Sequence, residues 1–427
     1  MSKTFRPWEV NQRLLLPPSV KELVPEGHLA HFVRDTVRED LDLGGILGCY
    51  EEERGYPPYH PVMMVALLLY GYCQGVYSSR RLARGCEERV DFMAVTGMQK
   101  PDFRTISEFR KRHLEALKGL FVQVLGLCRE AGLVKLGHVA LDGTKVKANA
   151  SKHKAMSYER MLKAERELKA EVEGWLREAA ARDEEEDQEH GKDRRGDELP
   201  DWVKDKGKRL AKIQEAKKAL EEQARSRNEE KSDKNGGKPG GKEQRNFTDP
   251  ESRIMRKGTD FVQGYNCQAA VDADSQVIVA EAVTNQGTDV GQLKPMVKQI
   301  RTNTGRQAKE LSADAGYASE ENLKELAHRG IQGYVATGRQ RHGQASAVGD
   351  GHRPKGRWTA RMRRKLLCGG RRSRYRLRKQ VVEPVFGQIK AARGFGQFLL
   401  RGLDKVRGEW NLLCVAHNLL KLAATRA

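Results

Sequence analysis

Between residues 155 and 228 the chain repeats with helical periodicity yet carries too little apolar surface to build a core. Met161, Ala164, Leu168, Val172, Trp175 and Ala179 step by three and four, and so do Leu210, Ile213, Ala216, Leu220 and Ala224. Both stripes are narrow and flanked by charge on every other side. Between them lie the acidic run Asp183-Glu-Glu-Glu-Asp187, then Gly191 and Pro200, which read as the break between two antiparallel helices. Ser232 to Gly241, rich in glycine, lysine and asparagine, reads as a flexible linker. Residues 155–245 are therefore expected to be a charged helical hairpin and linker inserted into a domain whose core comes from the segments on either side.

Without that insertion, residues 136–427 form a regular series. Gly137-His-Val-Ala-Leu-Asp-Gly-Thr144 is a short apolar run that reads as a buried strand delivering Asp142 to its edge. Phe261–Val271 and Gln276–Ala280 read as a hairpin turned by Asp272-Ala-Asp-Ser275. A helix over Val290–Ile300, a strand over Ala308–Asp314, a helix over Asn322–His328 and a strand over Ile331–Ala336 follow. Arg339 to Arg378 is basic, glycine-rich and expected to be partly loop. A helix around Glu383 and a last apolar helix over Trp410–Leu422 close the chain. The order suits an α/β fold with a mixed sheet covered by helices. It is compatible with a ribonuclease-H-like sheet, in which the first strand and a later one bring acidic residues side by side, though order alone does not single that fold out.

Residues 1–135 read as an all-α N-terminal domain. Leu29, Phe32, Val33, Thr36 and Val37 recur at helical spacing, and Pro61 suits the first turn of a helix through Tyr72. Ser78 or Ser79 would cap the next helix, Arg80 to Glu88. Thr105-Ile-Ser-Glu108 forms a capping box for a third, running through Phe109, Leu114, Leu117, Leu120, Val124 and Leu127. The short link Gln74-Gly-Val-Tyr-Ser-Ser79 allows a helix-turn-helix with Arg80, Arg81 and Arg84 against DNA. A plain bundle whose arginines are solvated has the same pattern.

The net charge of +20, from 78 basic and 58 acidic side chains, calls for a polyanionic partner, and nucleic acid fits best. Seven cysteines without a CxxC pair suit free thiols in a reducing cytoplasm and argue against structural zinc. The first residues lack the apolar core of a signal peptide, and the most apolar run, Val62 to Cys73, is too short to span a bilayer. A cytoplasmic, nucleoid-associated protein with no membrane partner is expected.

Three carboxylates stand where site residues stand: Asp142 and Asp314 after apolar strands, and Glu383 on a helix. An oxygen-only set without neighbouring Cys or His suits Mg²⁺ or Mn²⁺. Two such ions could activate a water or a 3′-hydroxyl and stabilise the leaving oxygen of a phosphodiester. The alternative for each aspartate is an ordinary turn, since Asp-Gly is a frequent turn signal. Glu383 and Lys390 lie seven residues apart, on nearly the same side of a helix and about 10 Å along it. Val381, Val385 and Ile389 form the opposite, buried stripe. Pro384 favours a helix's first turn, which predicts that Glu383 begins its helix. Lys145 and Lys147, and the runs Arg361–Lys365 and Arg371–Arg374, could track phosphates. His153 reads as a surface or phosphate-facing histidine rather than a base and His138 as structural, and Trp410 and Phe395 could stack on bases or be buried.

Leu141-Asp-Gly-Thr-Lys-Val-Lys-Ala-Asn-Ala-Ser151, Ala313-Asp-Ala-Gly-Tyr-Ala-Ser-Glu-Glu-Asn322, Val382-Glu-Pro-Val-Phe-Gly-Gln-Ile-Lys390 and Arg401-Gly-Leu-Asp-Lys-Val-Arg-Gly-Glu-Trp410 together resemble the DDE-type transposases of bacterial insertion sequences. Arg80-Arg-Leu and Pro101-Asp-Phe-Arg-Thr-Ile-Ser-Glu-Phe-Arg110 resemble the helical domain that precedes the catalytic domain in one branch. The resemblance implies that Asp142, Asp314 and Glu383 bind the metal, two Mg²⁺ or Mn²⁺ ions, and that Lys390 touches DNA near the cut. It also implies double-stranded DNA as partner, both as inverted-repeat ends and as target, and at least a homodimer on DNA. Related branches show Tyr, two residues, Arg, three residues, then the glutamate. Here Tyr375 and Arg378 keep the first gap, but four residues separate Arg378 from Glu383, and Lys379 takes the nearer place. Either cation could be the phosphate contact. A catalytically inactive regulator of element ends, or a ribonuclease-H-like nuclease acting on hybrids, would share much of this pattern.

Overall fold

The computed structural model describes residues 19–50, 57–190, 201–230, 238–338, 346–349 and 356–425. Its centre is a mixed sheet. Strand β1 (His138–Lys147) is followed by β2 (Ala155–Ser157), β3 (Gln244–Asn246), β4 (Arg253–Lys257), β5 (Asp260–Asp272), β6 (Ile278–Thr284), β7 (Glu310–Ala313) and β8 (Gln332–Val335). β1 runs antiparallel to β5 on one side and parallel to β7 on the other, and β7 runs parallel to β8. β5 is long enough to hold two partners in succession on its far side, β4 along its first residues and β6 along its last. β2 and β3 pair as a separate two-stranded ribbon.

β1 does not stop at Asp142-Gly143, as the sequence suggests. It continues to Lys147, pairing Gly143 with Gln268 and Lys147 with Gly264. The strand that sustains it lies beyond the helical insertion, so nothing local to residues 142–147 announces the pairing. Gly264 permits the close approach, because a Cβ there would stand 2.2 Å from the Val146 carbonyl oxygen.

The helices are α1 (Leu29–Asp35), α2 (Gly44–Leu47), α3 (Pro61–Cys73), α4 (Ser79–Glu88), α5 (Val90–Thr96), α6 (Phe103–Arg112), α7 (Leu114–Glu130), α8 (Tyr158–His190), α9 (Asp201–Glu230), α10 (Leu293–Thr304), α11 (Glu320–His328), α12 (Arg357–Gly369), α13 (Leu377–Gly387) and α14 (Leu403–Ala423). The helix expected from Thr105 onward starts earlier and is broken. Asp102 caps α6 by accepting from the amides of Arg104 and Thr105, and the chain turns at His113 before α7 begins. Within the basic region expected to be partly loop, residues 357–369 are helical, and Met362 and Leu366 supply an apolar edge that packs beside β8 and α11. Parts of the same basic region, 339–345 and 350–355, fall outside the described residues, as does most of the expected linker (231–237).

α8 continues through the acidic run at 183–187 as far as His190. α8 and α9 pack on one another through Met161, Leu168, Ile213, Ala216 and Leu220, a small core separate from the main one. Lys217–Glu165 (2.7 Å) and Lys206–Glu171 (2.5 Å) tie the pair across its polar edges.

α14 is buried along most of its length, with the sheet on one side and α7 and α3 on the other. Trp410, fully buried, donates its indole N–H to the Gln268 carbonyl at 3.2 Å. Asn418 is also fully buried; its side chain accepts from the Ile278 amide at 2.8 Å and donates to the Ile278 carbonyl at 2.9 Å. On the opposite face Gly408 makes room for Leu114, whose Cδ1 would lie 2.3 Å from a Cβ at that position. The N-terminal helices and the sheet thus share one hydrophobic core. Phe395 is buried as well, so neither it nor Trp410 is free to stack on a base. His138 is structural: its ring lies between Glu310 Oε2 (3.1 Å) and Ser312 Oγ (2.9 Å). Among the described residues no helix is long and apolar enough to cross a membrane, and all seven cysteines are free thiols.

Candidate active site

The two aspartates come together through strand register. Leu141 and Ala313 are the last paired residues of the parallel β1–β7 ladder, so Asp142 and Asp314 follow at the same level on neighbouring strands. Asp314 then caps a short 3-10 turn, accepting from the Gly316 amide at 2.9 Å. Asp142 accepts from the Gly143 amide at 2.8 Å through Oδ1. Burial pushes the Asp142 carboxyl up to about 7; Arg378 opposes that shift, and the like charges of Asp314 and Asp289 reinforce it. Asp314 is also raised, by burial and then by Asp289.

Glu383 arrives from α13. Val381, Val382, Val385, Phe386 and Ile389 are buried, which leaves Glu383 on the outward side. The helix does not begin at Glu383, contrary to the expectation from Pro384; the proline lies inside α13. A proline at this position deprives the Gln380 carbonyl of its helical donor. Gln276, at the β5–β6 turn, donates its side-chain amide to that carbonyl at 3.3 Å instead. Beyond Pro384 the helix passes into a π turn over Gln388–Ala392, which carries Lys390 inward.

The link between the strands and α13 is Arg378. Its guanidinium donates to Asp142 Oδ2 and, at 3.4 Å, to Glu383 Oε1. Its side chain is only 12% exposed against 51% for Glu383, so the arginine lies inside the cluster and the glutamate at its rim. The Tyr375 ring lies 5.9 Å from the guanidinium, and Nε is buried without a hydrogen-bond partner.

A fourth carboxylate, Asp289, has no strand or helix pattern to announce it. It sits between β6 and α10, and its Oδ1 accepts from Asn266 (2.6 Å) and Gln268 (2.8 Å), with Lys145 Nζ at 3.5 Å. Gln268 in turn accepts from the Tyr317 hydroxyl, which joins the Asp289 clamp to the Asp314 turn. A signal did exist in β5: Asn266 and Gln268 fall on one face of the otherwise apolar run from Gly264 to Val271, and buried amides require partners. Gly143 and Gly316 border this clamp, and Cβ atoms there would fall 2.7 Å and 3.1 Å from the Asp289 oxygens.

Of the expected cations, Lys145 and Arg378 lie within the cluster. Lys390 is folded against β1, donating to Thr144 Oγ1 and to the Lys145 carbonyl (3.1 Å); burial lowers its ammonium to about 8, with Lys257 adding to the effect. Lys147 and Lys379 are exposed. Arg80, Arg81 and Arg84 are exposed on α4, outside the carboxylate cluster, with Arg80 over the Phe103 ring (5.0 Å) and Arg84 paired to Glu88 (2.7 Å). The loop leading into α4 is anchored by Tyr77, whose hydroxyl donates to the Arg393 carbonyl at 3.0 Å. Among the described residues no three Asp, Glu, His or Cys side chains converge as a metal-binding group; Arg378 holds Asp142 and Glu383 to a common positive charge.

Two family models match the chain. Residues 18–112 match a transposase domain (DUF772), and residues 236–419 match a transposase DDE domain. The second match contains Asp314 and Glu383 and begins after Asp142 and the helical insertion. No curated protein and no solved structure matches the chain. With both matches in the expected order, the chain belongs to the DDE-type transposases of bacterial insertion sequences, in the branch that carries an N-terminal domain of its own.

Proposed function

We propose that this protein cuts and joins the inverted ends of an insertion sequence, with Asp142, Asp314 and Glu383 as its metal ligands. The supporting observation is the juxtaposition of Asp142 and Asp314 on adjacent parallel strands, with Glu383 tied to Asp142 through one guanidinium. The donor set is oxygen only, and two of its members, Asp142 and Glu383, already share a cation, which fits Mg²⁺ or Mn²⁺. A bound pair of such ions would supply an activated water or 3′-hydroxyl and stabilise the leaving oxygen. The chain's part is to hold the strand. Lys145, Lys147, Lys379 and Lys390 border the cluster or its rim and suit phosphates. Arg80, Arg81 and Arg84 extend the basic surface onto α4, where the element ends would be gripped. Asp142 and Asp314, both half-buried, form the floor beneath the reacting phosphate. Two ends must meet for joining, so a homodimer or larger assembly on DNA is part of this reading.

Asp142→Asn and Glu383→Gln, assayed on a duplex from the DNA flanking the reading frame, should each abolish Mg²⁺-dependent nicking while leaving gel-shift affinity within about twofold. Wild-type cutting by either variant removes that residue from the site. Binding without nicking by the wild-type protein would point to an inactive regulator of element ends. Faster cleavage of an RNA–DNA hybrid than of the duplex would point to a nuclease.

A further inference from the structure

The placement of Arg378 has a consequence beyond phosphate contact. Asp142 has both oxygens engaged: Oδ1 accepts from the Gly143 amide at 2.8 Å and Oδ2 from Arg378. The Gly143 bond is part of the strand and stays. The Arg378 bond belongs to a side chain on a different element, whose guanidinium is otherwise held by the 3.4 Å contact to Glu383 and by the Tyr375 ring at 5.9 Å. Its Nε is buried without a partner, so the guanidinium uses only part of its hydrogen-bonding capacity here. An arginine in this state has a better alternative in a phosphate, whose oxygens match its fork.

We propose that Arg378 is an exchangeable internal cation. It occupies the shared Asp142–Glu383 position until a DNA phosphate draws it away, and its departure frees those carboxylates for divalent ions. This rests on the metal-ligand reading above and adds an order of events to it. With Arg378 in place, an incoming ion meets a guanidinium's positive charge and a blocked Asp142 oxygen. With Arg378 on phosphate, both obstacles are gone. DNA and metal therefore bind with positive coupling, and the coupling passes through one side chain. Arg378 offsets part of the repulsion among Asp142, Asp314 and Asp289, which its departure would leave for the divalent ions to offset.

The test measures Mn²⁺ binding directly, by the loss of the free-ion electron paramagnetic resonance signal, on the full-length protein with and without a duplex taken from the DNA flanking the reading frame. Arg378→Gln should bind Mn²⁺ about tenfold more tightly than wild type without DNA, within the usual range of coupling between two sites. The duplex should tighten Mn²⁺ binding to wild type by a similar factor and leave Arg378→Gln nearly unchanged. Arg378→Lys, which keeps the charge but loses the fork, should fall between them and serves if the glutamine variant misfolds by circular dichroism. Equal or weaker Mn²⁺ affinity in both variants overturns the exchange while leaving the metal site standing. Mn²⁺ binding that Asp142→Asn does not reduce in any background overturns the metal-ligand reading itself, and the exchange with it.

Discussion

Replacing Gly143 with alanine puts a methyl group into the middle of the Asp289 clamp. The new Cβ would stand 2.5 Å from Gln268 Nε2, 2.7 Å from Asp289 Oδ1 and 3.0 Å from Asn266 Oδ1. All three atoms are ends of side chains, so the backbone of β1 can stay while the clamp opens. Opening it lengthens the Asn266–Asp289 and Gln268–Asp289 hydrogen bonds, now 2.6 Å and 2.8 Å. Hydrogen bonds to a charged group contribute about 1.5–3 kcal/mol each, and partial loss of both amounts to about 3 kcal/mol. The stiffer unfolded chain of an alanine variant returns about 0.4–1 kcal/mol. The net expectation is destabilisation by about 2–3 kcal/mol, enough to measure and too little to unfold a domain of ordinary stability. Urea titration followed by tryptophan fluorescence reads it, and Gly137→Ala, where no atom lies within 4 Å of the added Cβ, is the control. Gly143→Ala should also slow end cleavage, since the disturbed residues border Asp142 and Asp314. A Gly143→Ala protein within about 0.5 kcal/mol of wild type would refute the reasoning, because ordinary surface changes fall in that range.

Further predictions concern α13 and the buried histidine. Gln276→Ala, which leaves the Gln380 carbonyl without its donor and removes the Lys421 contact at 2.9 Å, should destabilise by about 1 kcal/mol. In a Pro384→Ala background the same change should cost less, because the restored helical N–H serves that carbonyl; equal costs in a double-mutant cycle would sink the account. His417 is buried; its Nε2–H donates to the Gln276 carbonyl at 2.8 Å, and Arg393 faces Nδ1 at 3.4 Å. Burial lowers it to about 3, opposed by the bond to Gln276 and aided by Arg393 and Lys421. Between its unfolded value near 6.5 and about 3, the unfolded chain takes a proton that the folded one refuses. Stability is therefore lost as pH falls below about 6.5, by about 1.4 kcal/mol per unit from this residue. His417→Gln should remove that component, so the urea-derived gap between variant and wild type should narrow with acidification; a pH-independent gap would contradict it.

The sheet was largely legible because its strands contain short apolar runs bounded by turn residues; Asp314 follows the end of one such strand, whereas Asp142 lies in the middle of β1. Glu383 was legible from the buried stripe of α13 behind it. What escaped depended on distant partners. Asp-Gly at 142–143 looks like a turn until β5, on the far side of the insertion, extends the strand past it. Pro384 looks like a helix start until Gln276 takes over the orphaned carbonyl from the β5–β6 turn. Asp289 lies in a connection with no periodicity, and only the amides of β5 hinted that a buried acceptor was needed. The Arg378 bridge could not be read, because its spacing from Glu383 departs from the pattern of related branches and only the fold shows which cation turns inward.

The burial of α14 on two sides limits how this enzyme can be taken apart. With Leu114 seated on Gly408 and the thiols of Cys73 and Cys128 pointing to the α14 carbonyls of Ala416 and Asn418 at 3.6 Å and 3.7 Å, the last helix is a party wall. A fragment cut at residue 135 would leave one side of that wall bare and sticky. Grafting the front of another transposase onto the segment after residue 135 would require recutting the wall as well, so the two parts are expected to be inherited as a fitted pair.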